Sequence, residues 1–172
     1  AKAICLDARI DGQQREDVLR CAYLCKADLI TNAVVEFTVL QGIMGGHYAK
    51  AAGETSDVAL GITDHYRPRF AGDELPRNLA GKVTALADKM DTICGIFAIG
   101  QGPTGSSDPF ALRRAAIGII NILLSDVEVS LETLIKAVLD NYKNVVEFDY
   151  AEVQKTVRDF FVTRLEVIAR DK

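Results

Sequence analysis

A chain of 172 residues, 49% apolar and 26% charged, has enough material for a hydrophobic core without disulfide or metal staples, and this excludes a disordered chain. The net charge is -4, so the field of the whole molecule does not favour nucleic acid, and any contact with a phosphate backbone must come from local clusters. Neither half is basic: residues 1–86 carry 10 basic and 11 acidic side chains, and residues 87–172 carry 10 and 13.

The cysteines are Cys5, Cys21, Cys25 and Cys94. Cys21 and Cys25 are four apart on one predicted helix face, inside the apolar run Cys-Ala-Tyr-Leu-Cys, with no histidine at zinc-ligand spacing. Buried thiols in a reducing, cytoplasmic compartment are therefore expected. No apolar run reaches membrane-spanning length and no signal peptide is recognisable. The chain opens on Ala1 in mid-pattern, as expected of a piece of a longer protein.

In chain order, nearly every segment reads as helix. Gln14 to Lys26 places Val18, Leu19, Ala22 and Cys25 at helical spacing. Ala27 to Met44 is predicted to continue as helix, with Leu29, Ile30, Ala33, Val34, Phe37, Leu40 and Ile43 forming a broad apolar face. Gly42, Gly45 and Gly46 are expected to loosen or end it, and His47 to Lys50 to form a short exit. Ser56 or Asp57 can cap a further helix that Pro68 stops. Arg67 to Asn78, RPRFAGDELPRN, reads as a long irregular segment.

Asn78 is placed to cap the next helix, whose stripe of Leu79, Val83, Leu86, Met90, Ile93 and Phe97 faces a core. Asp88, Asp91, Thr84 and Gly95 fall on its opposite face. The loop from Gly100 to Gly105 runs into a helix predicted over Pro109 to Ser125, with Asp108 as cap and Pro109 in the first turn. Ser130 caps Leu131 to Tyr142. Asp149 caps Tyr150 to Arg170, in which Val153, Val157, Phe160, Phe161, Leu165 and Ile168 face a core. The expected class is all-α, a bundle of about seven to eight helices in one domain over 1–172, with 126–172 as a possible helical extension.

Motifs for chemistry are sparse. His47 and His65 have no nucleophile in a recognisable triad pattern. The glycine loop lacks the Gly-Lys-Ser/Thr of a nucleotide-binding loop, and Asp108 would repel an anion at the helix start. Arg113 and Arg114 are the strongest local cation pair. With Arg67, Arg69 and Lys89 they are the candidate contacts for a phosphate backbone; ion pairing to Asp73, Glu74, Asp88 or Asp91 is the competing use.

Several stretches carry a resemblance. They are Lys26-Ala27-Asp28-Leu29, Glu36 through Gly45 (EFTVLQGIMG), Tyr66 through Pro76 (YRPRFAGDELP), Ala87 through Thr92 (ADKMDT), and Gly102 through Gly105 leading to Asp108 through Ala115 (DPFALRRA). In this order they resemble the β-subunit of the bacterial two-subunit glycyl-tRNA synthetase. The resemblance implies a helical HD-like domain of that subunit, in a cytoplasmic enzyme with two copies of each subunit. It implies tRNA(Gly), the α-subunit and the remaining domains of the β-subunit as partners, and no membrane. ATP and Mg would be used by the α-subunit, with no cofactor or metal in this segment.

The HD superfamily holds a metal with histidines, a His-Asp pair and a later Asp. On this resemblance Cys25 and Lys26 stand where the His-Asp pair belongs and Asp88 where the later Asp belongs. A lysine there would repel a divalent cation. The expected function is therefore non-catalytic: structural support and tRNA contact through Arg67, Arg69, Lys89, Arg113 and Arg114. The alternative is a degenerate HD-type phosphohydrolase or nucleotide-binding domain.

Overall fold

In the computed structural model, which describes residues 1–170, apolar residues recurring at helical spacing become nine α-helices joined by turns and two short 3-10 segments among the described residues. The helices are α1 (Lys2–Asp7), α2 (Gly12–Leu24), α3 (Asn32–Glu36), α4 (Ile43–Ala51), α5 (Ser56–Asp64), α6 (Leu79–Ala98), α7 (Leu112–Leu123), α8 (Leu131–Tyr142) and α9 (Tyr150–Arg170). The chain divides into two compact units, residues 1–86 and residues from 87 onward.

In the first unit α5 packs on both α2 and α4. Val18 and Cys21 of α2, Val58 and Ile62 of α5, and Val83 and Leu86 of α6 are all buried. The start of α5 is tied to α2 by a polar relay. Thr55 caps α5 by accepting from the Val58 N–H at 3.2 Å and donates to Asp17 at 2.9 Å; Gln13 donates to the same carboxylate at 3.0 Å. Two glycine contacts set how closely helices approach. A Cβ on Gly61 would lie 2.8 Å from the Cys21 sulfur and 2.9 Å from the Gly81 nitrogen. One on Gly46 would meet the Thr63 hydroxyl and lie 2.8 Å from the Ala59 carbonyl.

The expected long helix from Ala27 to Met44 is a correction. The chain there breaks into a 3-10 turn (Ala27–Ile30), α3, a second 3-10 turn (Thr38–Leu40) and the start of α4. The reason is the carboxylate of Asp28. It is buried and accepts the N–H groups of Gly42 at 2.7 Å and Gly45 at 3.0 Å, which pulls the far end of the segment back onto its beginning. Gly42 has a φ of 77°, a conformation glycine adopts without a Cβ clash. His47 to Lys50, expected as an exit, lie inside α4, and Gly45 and Gly46 are in that helix rather than ending it. Of the apolar face expected there, Val34 is buried, whereas Leu29, Ile30, Phe37 and Ile43 are exposed.

In the second unit α9 packs on α7 and α8. Its core includes Met90, Ile93, Leu112, Ile119, Ile135, Leu139 and Phe161. Phe160 lies edge-on to Phe97 with ring centres 5.1 Å apart. Ser130 and Asp149 cap α8 and α9 as read from the sequence, accepting from Thr133 and Glu152. Asn78 likewise accepts from Gly81 at the start of α6. Three expectations fail. Thr84 is buried rather than on an outer face, donating to the Cys21 sulfur at 3.3 Å within the first unit. Leu165 is exposed. Helix α7 begins at Leu112 rather than Pro109, because Ala111 has a φ of 54° and turns the chain just before it.

Gly46→Ala tests the α4–α5 approach. Helix propensity alone would favour alanine, yet the Ala59 carbonyl is backbone and cannot rotate away. Urea melts should show a net loss of about 1–3 kcal/mol from overpacking; unchanged stability would show that the two helices can separate freely.

Candidate functional site

The candidate residues fall into three groups. The first surrounds the end of α5. Asp64 is fully buried and is gripped by Arg77, whose Nε and Nη2 donate at 2.8 and 2.9 Å and whose backbone N–H donates at 3.0 Å. Arg67 adds a contact at 3.7 Å and reaches on to Glu74 at 2.6 Å. Burial opposes the charge on Asp64, but the hydrogen bonds from Arg77, aided by the charges of Arg77 and Arg67, outweigh it and hold the carboxyl below its usual value of 3.8. Arg69 closes a tight loop on Asp73, through its backbone N–H at 2.8 Å and its side chain at 3.3 Å. The hydrogen bond from the Arg69 backbone leads the effects that lower the Asp73 pKa. Arg67 and Arg69 are thus each held by carboxylates of their own segment.

The second group follows α2. Cys25 is buried, with its thiol 3.4 Å from the Ala22 carbonyl. Lys26 places its ammonium 2.9 Å from Nε2 of His65 and 4.0 Å from the centre of the Tyr66 ring. His65 is fully buried, and its Nδ1 lies 2.6 Å from the Ile62 carbonyl. A carbonyl only accepts, so Nδ1 carries the hydrogen and Nε2 offers its lone pair to Lys26. The imidazole nitrogen that a metal or a transferred proton would use is engaged by a cation. Asp88, the third position of this set, is half-buried on α6 in the second unit. Among the described residues no group of three or more His, Cys, Asp or Glu is gathered to hold a metal ion. His47 is exposed on α4.

The third group lies where the glycine loop enters α7. The carboxylate of Asp108 accepts the N–H groups of Leu112 at 2.8 Å and Arg113 at 2.9 Å, so the donors that could cradle a phosphate are already taken. Thr104 and Ser107 close a tight turn by exchanging backbone hydrogen bonds. Arg113 braces that turn by donating to the Gly105 carbonyl at 2.6 Å. Arg114 is exposed and has no hydrogen-bond or ion-pair partner among the described residues. Lys89 is half-buried on α6.

Arg164 of α9 was not legible as a candidate. Its guanidinium stacks 3.8 Å from the Phe160 ring and donates to the Phe160 carbonyl at 2.8 Å. Burial, and next the positive charge of Arg113, lower its pKa from the arginine norm, while Asp108 opposes them. No spacing rule links positions 113 and 164; only the packing of α7 on α9 brings their charges to bear on each other. Beside the same loop, a cleft of about 430 Å3 is lined by Phe97, Gly102, Phe148, Asp149 and Glu152. Its two acidic side chains disfavour a phosphate. On α6, loss of water around its carboxyl raises the Asp91 pKa; a hydrogen bond from Tyr142 opposes this and the charge of Asp88 adds to it.

The family profile described as "Glycyl-tRNA synthetase beta subunit" matches residues 1–172. The chain belongs to that family. It is 48% identical over 159 residues to the glycine–tRNA ligase beta subunit of Clostridioides difficile, covering 92% of this chain and 23% of the relative. With the same subunit of Desulforamulus reducens it shares 50% identity over 163 residues, 93% of this chain and 24% of the relative. With that of Desulfitobacterium hafniense it shares 43% over 175 residues, 100% of this chain and 25% of the relative. The chain therefore spans about a quarter of the length of these curated relatives. No helix among the described residues is long and apolar enough to cross a membrane.

Asp64→Asn separates a structural carboxylate from a reactive one. A depressed carboxylate contributes stability that is present above its unfolded pKa and is lost as pH falls through the folded one. At neutral pH the variant should be less stable by about 1–2 kcal/mol, a figure reduced because Arg77 is half-exposed and screened by water. The gap between the two proteins should then close below the usual value of 3.8. Urea melts across that range check it; a gap independent of pH would show that charge is not what Asp64 contributes.

Proposed function

We propose that this chain is a non-catalytic part of a glycine–tRNA ligase β-subunit that supports the enzyme and contacts tRNA(Gly), with Arg113 and Arg114 as the contact. The α-subunit, using ATP and Mg, would carry the chemistry, and the other partners would be that subunit and the remaining domains of the β-subunit. One observation supports the contact: Arg114 is exposed with no hydrogen-bond or ion-pair partner among the described residues, whereas Arg67 and Arg69 are tied to Asp64, Glu74 and Asp73. A phosphate backbone is bound by cations whose charge is not already neutralised by neighbours. Arg113 would add charge from a fixed position, since the Gly105 carbonyl holds its guanidinium. Lys89 belongs to the same unit and remains a candidate for the edge of the contact.

The degenerate HD-like reading fits the same assignment. Metal-dependent hydrolysis would require Lys26 to leave His65 Nε2, the position a metal would take. The lysine is further held by the face of Tyr66.

The test is tRNA(Gly) binding by the assembled two-subunit enzyme with Arg113→Glu and Arg114→Glu together. Affinity should fall by about tenfold or more at low salt, and the slope of affinity against salt should flatten by about two phosphate contacts. Reversal at Arg69 should leave that slope unchanged. A folded double variant with wild-type affinity would remove these arginines from the RNA interface.

A further inference from the structure

The segment from Leu29 to Ile43 is organised in an unusual sense: apart from buried Val34, most of its large apolar side chains are exposed above a closed base. The base is the Asp28 carboxylate, buried and bound to the N–H groups of Gly42 and Gly45. Between these anchor points Ile30 is 88% exposed, Val35 66%, Phe37 58% and Val39 80%. The 3-10 turns and α3 pack on one another, so these side chains occupy one short, ordered stretch. Large exposed apolar side chains concentrated within ten residues of one ordered segment mark an interaction surface. From Ala27 to Ala49 the sequence contains no lysine or arginine, and Glu36 is the one acid besides buried Asp28. A surface without cations does not hold a phosphate backbone. The occupant is therefore protein rather than RNA.

We infer that this loop docks onto an apolar surface of the remaining part of the same β-subunit. Two arguments select that occupant over the α-subunit. The relatives are about four times as long as the stretch matched here, which is 23% to 25% of their length, so most of the β-polypeptide is tethered nearby at high effective concentration. A subunit with this loop bare until assembly would also carry an aggregation hazard throughout its free lifetime, which a contact within the subunit removes.

The test uses the full-length β-subunit with Val39→Cys, and separately Ile30→Cys, followed by maleimide labelling of the introduced thiol resolved by peptide mass. The native Cys5, Cys21, Cys25 and Cys94 are buried; their slow labelling verifies that each variant is folded. The reference is a short unstructured peptide with the same cysteine sequence. Labelling in the β-subunit alone should be at least about tenfold slower than in the peptide, as expected of a covered site, and adding α-subunit or tRNA should leave it unchanged. Rapid labelling in the β-subunit alone that slows on adding α-subunit would assign the loop to the other subunit and overturn the inference. Rapid labelling that slows only with tRNA would make it an RNA contact, and rapid labelling in every state would leave it uncovered; either result also overturns it.

Discussion

The buried carboxylate of Asp64 fixes the long irregular stretch between α5 and α6. It sits at the last residue of α5 with no exposure, so its charge must be compensated within the protein. Arg77, thirteen residues on, supplies two side-chain donors and one backbone donor, and Arg67 supplies a further charge. Once Arg77 is placed, Asn78 stands where it can cap α6. Gly61 and Gly81 then face each other closely enough that a Cβ on the first would lie 2.9 Å from the nitrogen of the second. One ion pair thus fixes where α6 begins.

That arrangement divides the arginines by task. A sequence rich in Arg, Pro and Gly between two helices looks like a binding loop, but here its cations neutralise its own carboxylates. Arg67 lies between Asp64 and Glu74, and Arg69 between the backbone and side chain of a turn closed by Asp73. In the second unit the local acid is used differently. Asp108 spends both oxygens on backbone N–H groups at the start of α7, leaving the guanidinium of Arg113 to brace the loop and that of Arg114 to face solvent. Similar residues, a pair of arginines beside acids, come to opposite roles because the acids have different partners.

How far the sequence conveyed this follows from the range of each interaction. Caps at Asn78, Ser130 and Asp149 act over three residues, so they were legible, as was the stripe along α6. The all-α class followed from the same local periodicity. The segment after Lys26 has helical apolar spacing, but its conformation is set by the N–H groups of Gly42 and Gly45, 14 and 17 positions further on, donating to the Asp28 carboxylate. The start of α7 was misplaced by three residues because a left-handed alanine leaves no signature in composition. The Asp64–Arg77 pair, the Lys26–His65 contact and the place of Arg164 all depend on tertiary packing; no local spacing rule reaches 13, 39 or 51 positions along the chain.

The central claim is that RNA meets the start of α7 rather than the arginine-rich segment after α5. A photo-crosslinking residue can be placed at Ile117, exposed one turn beyond Arg113 and Arg114, and separately at Phe70, exposed beside Arg69. In the assembled enzyme irradiated with bound tRNA(Gly), the account predicts crosslinked RNA from position 117 and none from position 70. Crosslinking from position 70 alone would contradict it, and would return the contact to the segment whose cations are here assigned to holding the fold.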